Sequence, residues 1–163
     1  MNEAATSAYY KSLPGKRIGA GLLCRDGQSR VLLVRPTYKP TWEIPGGIVE
    51  AGESSAAAVA RELLEELGVP LKVGRILVID WLPVRVPKTE GLMMLFDGGV
   101  IDESTTSRFT LPPDELSAWA LLAADELNSV VPDFMARRIR VALELSSTDR
   151  SAYLEWGRPP RIG

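Results

Sequence analysis

The sequence predicts an α/β fold in which a mixed β-sheet lies between two helices, an α/β/α sandwich. Three observations carry that prediction. Short β-rich runs separated by Gly, Pro and Asp-Gly signals recur from residue 17 to residue 122. One helix with a sharp start and stop occupies residues 55–67, and a second amphipathic stretch opens at Pro132. At 163 residues, 45% hydrophobic and 25% charged, the chain is long enough to bury a single core. Residues 1–16 read as an arm, 17–147 as the domain and 148–163 as a tail.

The arm is polar, carries Tyr9 and Tyr10 and ends in Pro14-Gly15. It is expected to order only by docking, with the tyrosines packed on the domain or a partner subunit in preference to stacking on a base. Two strands, 17–24 and 30–34, flank Asp26-Gly27, a hairpin signal. The proline-broken loop of residues 35–42 supplies three candidates for substrate contact. Arg35 and Lys39 suit phosphate oxygens, and Trp42 suits packing over a ligand or under the sheet. Glu43-Ile44 reads as a brief strand entering a glycine turn at Pro45-Gly46-Gly47.

Beyond the first helix, residues 71–86 read as a strand bent late by Pro83 and Pro87. Residues 91–101 form another, with Asp97-Gly98-Gly99 as a turn or bulge within it. Residues 102–110 read as a loop, 117–122 as a strand containing Trp119, and 123–127 as a short helical turn. The last helix runs from Pro132 to about residue 147, with Met135, Ile139, Ala142 and Leu143 inward and Arg137, Arg138 and Arg140 on a solvated face. Tyr153 and Trp156 in the tail point to docking, across a dimer for instance.

The chemistry concentrates in the helix of residues 55–67. Ser54 or Ser55 caps its start, the alanines of residues 56–60 favour it, and Gly68 followed by Pro70 stops it. At about 100° per residue Glu62, Glu65 and Glu66 share one narrow sector, with Ala56, Ala60, Leu63 and Leu67 on the opposite, core side. Three carboxylates at this spacing repel one another and favour a positive partner. Oxygen-only ligation suits Mg²⁺ or Mn²⁺ over Zn²⁺, in keeping with the absence of His and the single Cys. The competing reading is a solvated acidic face. Glu50 and Glu53, in the loop ahead of the helix, bring two further carboxylates to its start.

Gly47, Glu53, Arg61, Glu62, Leu63, Glu65, Glu66, Gly68 and Val69 occupy every fixed position of the pattern G-x5-E-x7-R-E-U-x-E-E-x-G-U, with U a bulky aliphatic residue. The chain thereby resembles the Nudix family over residues 47–69, with looser similarity over about 17–147. The resemblance implies a Nudix-like sandwich and a divalent-metal-dependent hydrolase of diphosphate linkages in nucleoside diphosphate derivatives. It implies Gly47 (through its carbonyl), Glu62, Glu65 and Glu66 as metal ligands, Glu53 as a supporting loop glutamate and Arg61 as the residue that fixes the carboxylates. A carboxylate beyond the motif often joins the site in this family; Glu115 is the candidate, with Asp114, Asp97 and Glu103 as rivals.

A net charge of −2 argues against general nucleic-acid binding. One cysteine, Cys24 within an apolar run, excludes an intramolecular disulfide, and with no signal peptide and no membrane-spanning stretch the expected location is the cytoplasm. A homodimer is compatible with the sequence. Two other functions compete: a catalytically silent Nudix-like nucleotide-binding or regulatory module, which would be expected to lack box glutamates, and an isomerase of the isopentenyl diphosphate type, which needs Cys and His chemistry that this chain does not offer.

Overall fold

The computed structural model describes residues 3–161. A helix, α1 (Glu3–Ser12), precedes strands β1 (Arg17–Arg25), β2 (Val31–Pro36) and β3 (Gly46–Ile48). Helix α2 (Ser55–Leu67) leads into β4 (Ile76–Leu82) and β5 (Gly91–Val100), then the short α3 (Glu103–Thr106), β6 (Leu116–Leu122) and α4 (Leu127–Val130). Helix α5 (Asp133–Leu145) and strand β7 (Ala152–Glu155) complete the chain. The strands form one mixed sheet ordered β6-β2-β1-β5-β4-β7, with β3 also paired to β1. The pairs β1–β5 and β4–β7 are parallel and the others antiparallel.

Strand alternation divides the core into two layers. Leu22, Cys24, Leu32 and Val34 point to one face and pack with Val59, Leu63 and Leu67 of α2. Their neighbours Leu23, Val31 and Leu33 point to the other and pack with Ala136, Ile139 and Ala142 of α5. Successive strand residues face opposite sides, so both faces of β1 and β2 are apolar and each needs a helix to cover it. The sandwich expected from the sequence is the result.

Local signals placed α2 well. Ser54 accepts the Ala57 N–H at 3.2 Å, and Gly68, at φ 72°, donates its N–H to Leu64 at 3.0 Å. Its core stripe is Ala58, Val59, Leu63 and Leu67; Ala56 and Ala60, expected inward, are exposed, because Val59 buries more apolar area than either alanine. Asp26 stabilises the β1–β2 connection by accepting the N–H groups of Gln28 and Arg30, both at 2.9 Å.

Five expectations are corrected. The arm holds a helix, α1, with no buried residue; Tyr9 and Tyr10 are exposed and meet each other edge-on, 5.4 Å apart, instead of packing on the domain. Pro45-Gly46-Gly47 is no turn: β3 pairs Gly46 and Gly47 with Gly21 and Ala20, and a Cβ at Gly46 would collide with the Ala20 carbonyl. Asp97-Gly98-Gly99, by contrast, is the bulge, one of the two alternatives expected there: the register against β1 steps from Leu23–Asp97 to Arg25–Val100, leaving one extra residue on β5. Within the expected loop of residues 102–110, Asp102 caps α3; after β6 the helical turn comes at Leu127–Val130, later than residues 123–127. Part of the tail is sheet, since β7 pairs with β4, and Trp156 stacks on Phe134 of α5. Met1, Asn2, Ile162 and Gly163, at the outer ends of the arm and tail, lie outside the described residues. Among the described residues no helix is long and apolar enough to cross a membrane.

Candidate active site

The site begins where β3 meets α2. Two consecutive glycines let this strand lie against the acidic side of the helix: a Cβ at Gly47 would occupy the position of the Glu62 carboxylate. One turn on, Glu66 accepts the Gly46 N–H at 2.9 Å. Glu62 and Glu66 are thus both held against the Gly46-Gly47 backbone, at the spacing i, i+4 that the helix imposes.

Arg61 organises the remaining carboxylates. Its Nε and Nη2 donate to the two oxygens of Glu53 at 2.9 and 3.1 Å. Nη1 donates to Glu62 at 2.9 Å and to Glu65 at 3.1 Å, and Nη2 reaches the Ile48 carbonyl at 3.3 Å. Glu53 is itself fixed by the Glu50 N–H at 3.1 Å. The guanidinium therefore ties the loop glutamate, the helix and β3 together, and the fork geometry is what permits five oxygen contacts from one side chain. Paired with Arg61, Glu53 is held below the usual carboxylate range.

Glu66 behaves oppositely. Burial pushes its carboxyl up to about 8, against the lowering effect of the Gly46 N–H; the charges of Glu62, Glu43 and Glu115 add to the rise. Glu62 is also raised, by burial first, with Arg61 opposing. Glu115 is exposed on the loop before β6, and its charge is the smallest of these contributions at Glu66. Of its rivals, Asp97 is engaged elsewhere, paired with Arg25 at 3.1 Å, while Asp114 and Glu103 are exposed. Sequence reasoning missed Glu43, which pairs with Lys39, lines the cleft described below and raises Glu66 through its charge; its place two residues before the Pro45-Gly46-Gly47 stretch was the available signal.

Among the described residues no three acidic side chains converge as a finished metal cage, since Arg61 draws Glu53, Glu62 and Glu65 toward itself. The donor set nevertheless fits a hard divalent cation. It is all oxygen, two of its carboxylates are raised by burial and mutual repulsion, and Gly47 leaves the Glu62 carboxylate room that any side chain would fill.

A cleft of about 580 Å³ starts at Gly46 and Gly47 and crosses β5 toward the β4–β7 edge. Glu43 and Lys39 line its near side, Arg17, Arg85 and Lys88 are also in its walls, and Phe134, Arg138 and Trp156 close the far side. The box glutamates do not line it; the cleft meets them through β3. Among the described residues Arg17, Arg85 and Lys88 have no carboxylate partner. Of the sequence candidates for substrate contact, Lys39 lines the cleft, Arg35 is exposed on β2 away from it, and Trp42 packs on the core beside α5. Arg138 corrects the expectation of a solvated arginine face: it is 3% exposed and donates through Nε to buried Asp80 at 2.7 Å. It lies three residues after Met135 and four before Ala142, on the stripe facing the sheet, where Asp80 supplies its counter-charge.

The raised carboxyl of Glu66 has a consequence for metal-free protein. The unfolded chain loses this proton near pH 4.5 and the folded chain near pH 8, so the folded state binds more protons between these values and stability falls as pH rises through that window. In EDTA, Glu66→Gln is expected to melt about 5 °C above wild type at pH 8.5, with the difference vanishing near pH 4.5. Thermal unfolding monitored by circular dichroism at both pH values checks this, and equal melting temperatures at pH 8.5 would refute it.

Comparison with known proteins bears on the family and the fold. A family model described as NUDIX domain matches residues 15–144. The chain is 34% identical over 127 residues to a MutT-like protein of Streptomyces ambofaciens, covering 69% of this chain and 77% of that one. It is 36% identical over 76 residues to an RNA pyrophosphohydrolase of Cronobacter sakazakii, a match spanning 45% of this chain and only 43% of that relative. The crystal structure of a MutT NUDIX hydrolase from Burkholderia pseudomallei superposes with a TM-score of 0.63 at 26% identity, over 83% of this chain and all of that one.

Proposed function

The chain belongs to the Nudix family, and from that premise we propose that it hydrolyses a diphosphate linkage in a nucleoside diphosphate derivative, using Mg²⁺ or Mn²⁺. The observation that carries this reading is that α2 and β3 hold Glu62 and Glu66 against Gly46-Gly47, at the end of a cleft walled by unpaired Arg17, Arg85 and Lys88. A group of carboxylates that repel one another needs a cation, and a cleft of unpaired cations needs an anion; a metal-assisted reaction on a diphosphate supplies both.

The residues that would hold the metal are Glu62, Glu65, Glu66 and the Gly47 carbonyl. Once bound, such an ion neutralises charge on the diphosphate and acidifies water in its shell. The remaining roles fall to the chain's own side chains. Arg61 keeps Glu62 and Glu65 oriented and anchors them to Glu53. Arg17, Arg85, Lys88 and Lys39 offset negative charge on the phosphates as they enter, which lowers the repulsion facing an incoming oxygen nucleophile. Glu115, exposed on the loop before β6 with its charge felt at Glu66, is the carboxylate assigned here to take the proton of the attacking water. Water adds across the P–O–P bridge, one phosphorus gaining its hydroxyl oxygen and the other leaving as a phosphate ester or phosphate.

The test is turnover of a panel of nucleoside diphosphate derivatives with Mg²⁺, with products identified by mass. Cleavage of one class that stops in EDTA and resumes on adding metal is the expected result. Silence across the panel despite nucleotide binding would overturn the hydrolase reading in favour of a binding module.

A further inference from the structure

The far end of the cleft contains features that the diphosphate chemistry does not use. Trp156 follows β7 with φ 56°, a left-handed conformation that is strained for a residue other than glycine. The surrounding contacts enforce it. The next residue, Gly157, donates its N–H to both oxygens of buried Asp80 at 3.0 and 3.1 Å, the Trp156 carbonyl accepts from Arg137 at 3.0 Å, and the Trp156 N–H donates to the Trp81 carbonyl at 2.9 Å. The fold thus spends stability to hold one indole in the wall of the cleft.

That indole stacks on Phe134, with centroids 3.8 Å apart and planes 16° from parallel, while the Arg85 guanidinium carbon lies 4.9 Å over the ring. Among the described residues neither the Phe134 ring nor the Arg85 guanidinium is held by a hydrogen bond or an ion pair, so either yields to a flat ligand that replaces the ring contact it gives up. Behind Phe134 stands Arg138. Its Nε is bonded to Asp80, but its Nη2 is buried and has no hydrogen-bond partner. A buried donor without an acceptor is costly, and Arg138 belongs to the cleft lining.

We propose that this end of the cleft is a nucleobase subsite that prefers bases with a keto edge, with Trp156 as stacking surface and Arg138 as the donor reading the carbonyl. The inference deepens the nucleotide reading above and rests on it. Asp80 already balances the charge of Arg138, so the leftover donor suits a neutral carbonyl oxygen better than a phosphate. Guanine and uracil offer such an oxygen. Adenine and cytosine place an exocyclic amino group at the corresponding edge, where donor would face donor. Phe134, whose ring lies 5.4 Å from the Arg138 guanidinium carbon, is the side chain that rotates to admit the carbonyl.

Nucleoside monophosphates test the subsite separately from hydrolysis, because they contain no diphosphate linkage to cleave. Calorimetric titration of the full chain with UMP, GMP, CMP and AMP is expected to give Kd values for UMP and GMP about 10-fold lower than for CMP and AMP, the scale of one good base-edge contact. Trp156→Leu is expected to weaken all four by roughly 10-fold, and Arg138→Lys to bring the four to a common value. Where Arg138→Lys fails to fold, wild type and Trp156→Leu decide. AMP or CMP binding wild type as tightly as UMP and GMP would overturn the proposal, as would no binding of any at about 5 mM. If the base preference appears without turnover of any diphosphate substrate, the subsite stands and the hydrolase reading fails.

Discussion

Glu66→Gln lowers kcat on the preferred diphosphate substrate by about three orders of magnitude or more, with KM changed by less than about fivefold. The argument rests on what the substitution keeps and what it removes. Gln preserves the length of the side chain, and its amide oxygen can still accept the Gly46 N–H that Glu66 accepts at 2.9 Å. The junction of β3 and α2 therefore survives. What disappears is a negative charge in a half-buried place, among Glu62, Glu43 and Glu115, where a divalent ion has most to gain from it. The cleft cations proposed to meet the phosphates, Arg17, Arg85 and Lys88, are untouched, so the loss is expected to fall on turnover. Steady-state kinetics at saturating Mg²⁺ measures it, and wild-type kcat in the variant would sink the assignment of Glu66.

The second large effect is on stability. Asp80→Ala leaves the Arg138 guanidinium buried without its counter-charge and removes the acceptor of Gly157, and is expected to cost about 3–5 kcal/mol. That is a large fraction of the roughly 5–15 kcal/mol that holds an ordinary domain together. Asp80 is completely buried and Arg138 nearly so, which is why the loss is not softened by water. The double variant Asp80→Leu with Arg138→Met buries no charge and is expected to recover most of the loss. Urea unfolding of the three proteins decides; a cost below about 1 kcal/mol for Asp80→Ala would show that the guanidinium escapes to solvent.

The two predictions differ in how far they could be read from the sequence. Glu66 lies in a segment where every signal is local: the Ser54 cap, the alanine run, the acidic i, i+3, i+4 spacing and the Gly68 stop are all encoded within 15 consecutive residues. Helix geometry turns that spacing into a shared face without help from the rest of the chain. Asp80 and Arg138 are 58 residues apart, and each by itself looks like an ordinary surface charge. Only their meeting between β4 and α5 makes burial tolerable. Helical periodicity puts position 138 beside Met135 and Ala142, yet a charged side chain is expected to face water, and the sequence reading set Arg138 outward.

What the sequence by itself determined is the two-faced apolar character of β1 and β2, the position and ends of α2, and the carboxylate set Glu53, Glu62, Glu65 and Glu66 with its arginine. These depend on nearest neighbours and on the fixed periods of helix and strand. Tertiary structure alone decided that Gly46-Gly47 is a strand pressed against Glu62, that the charges of Glu43 and Glu115 are felt at Glu66, and that residues 152–155 close the sheet edge and carry Trp156 to the cleft. Each of those is a contact between segments far apart in the chain. Its energy comes from burial and from charge pairing across space, terms that no local pattern of residues contains.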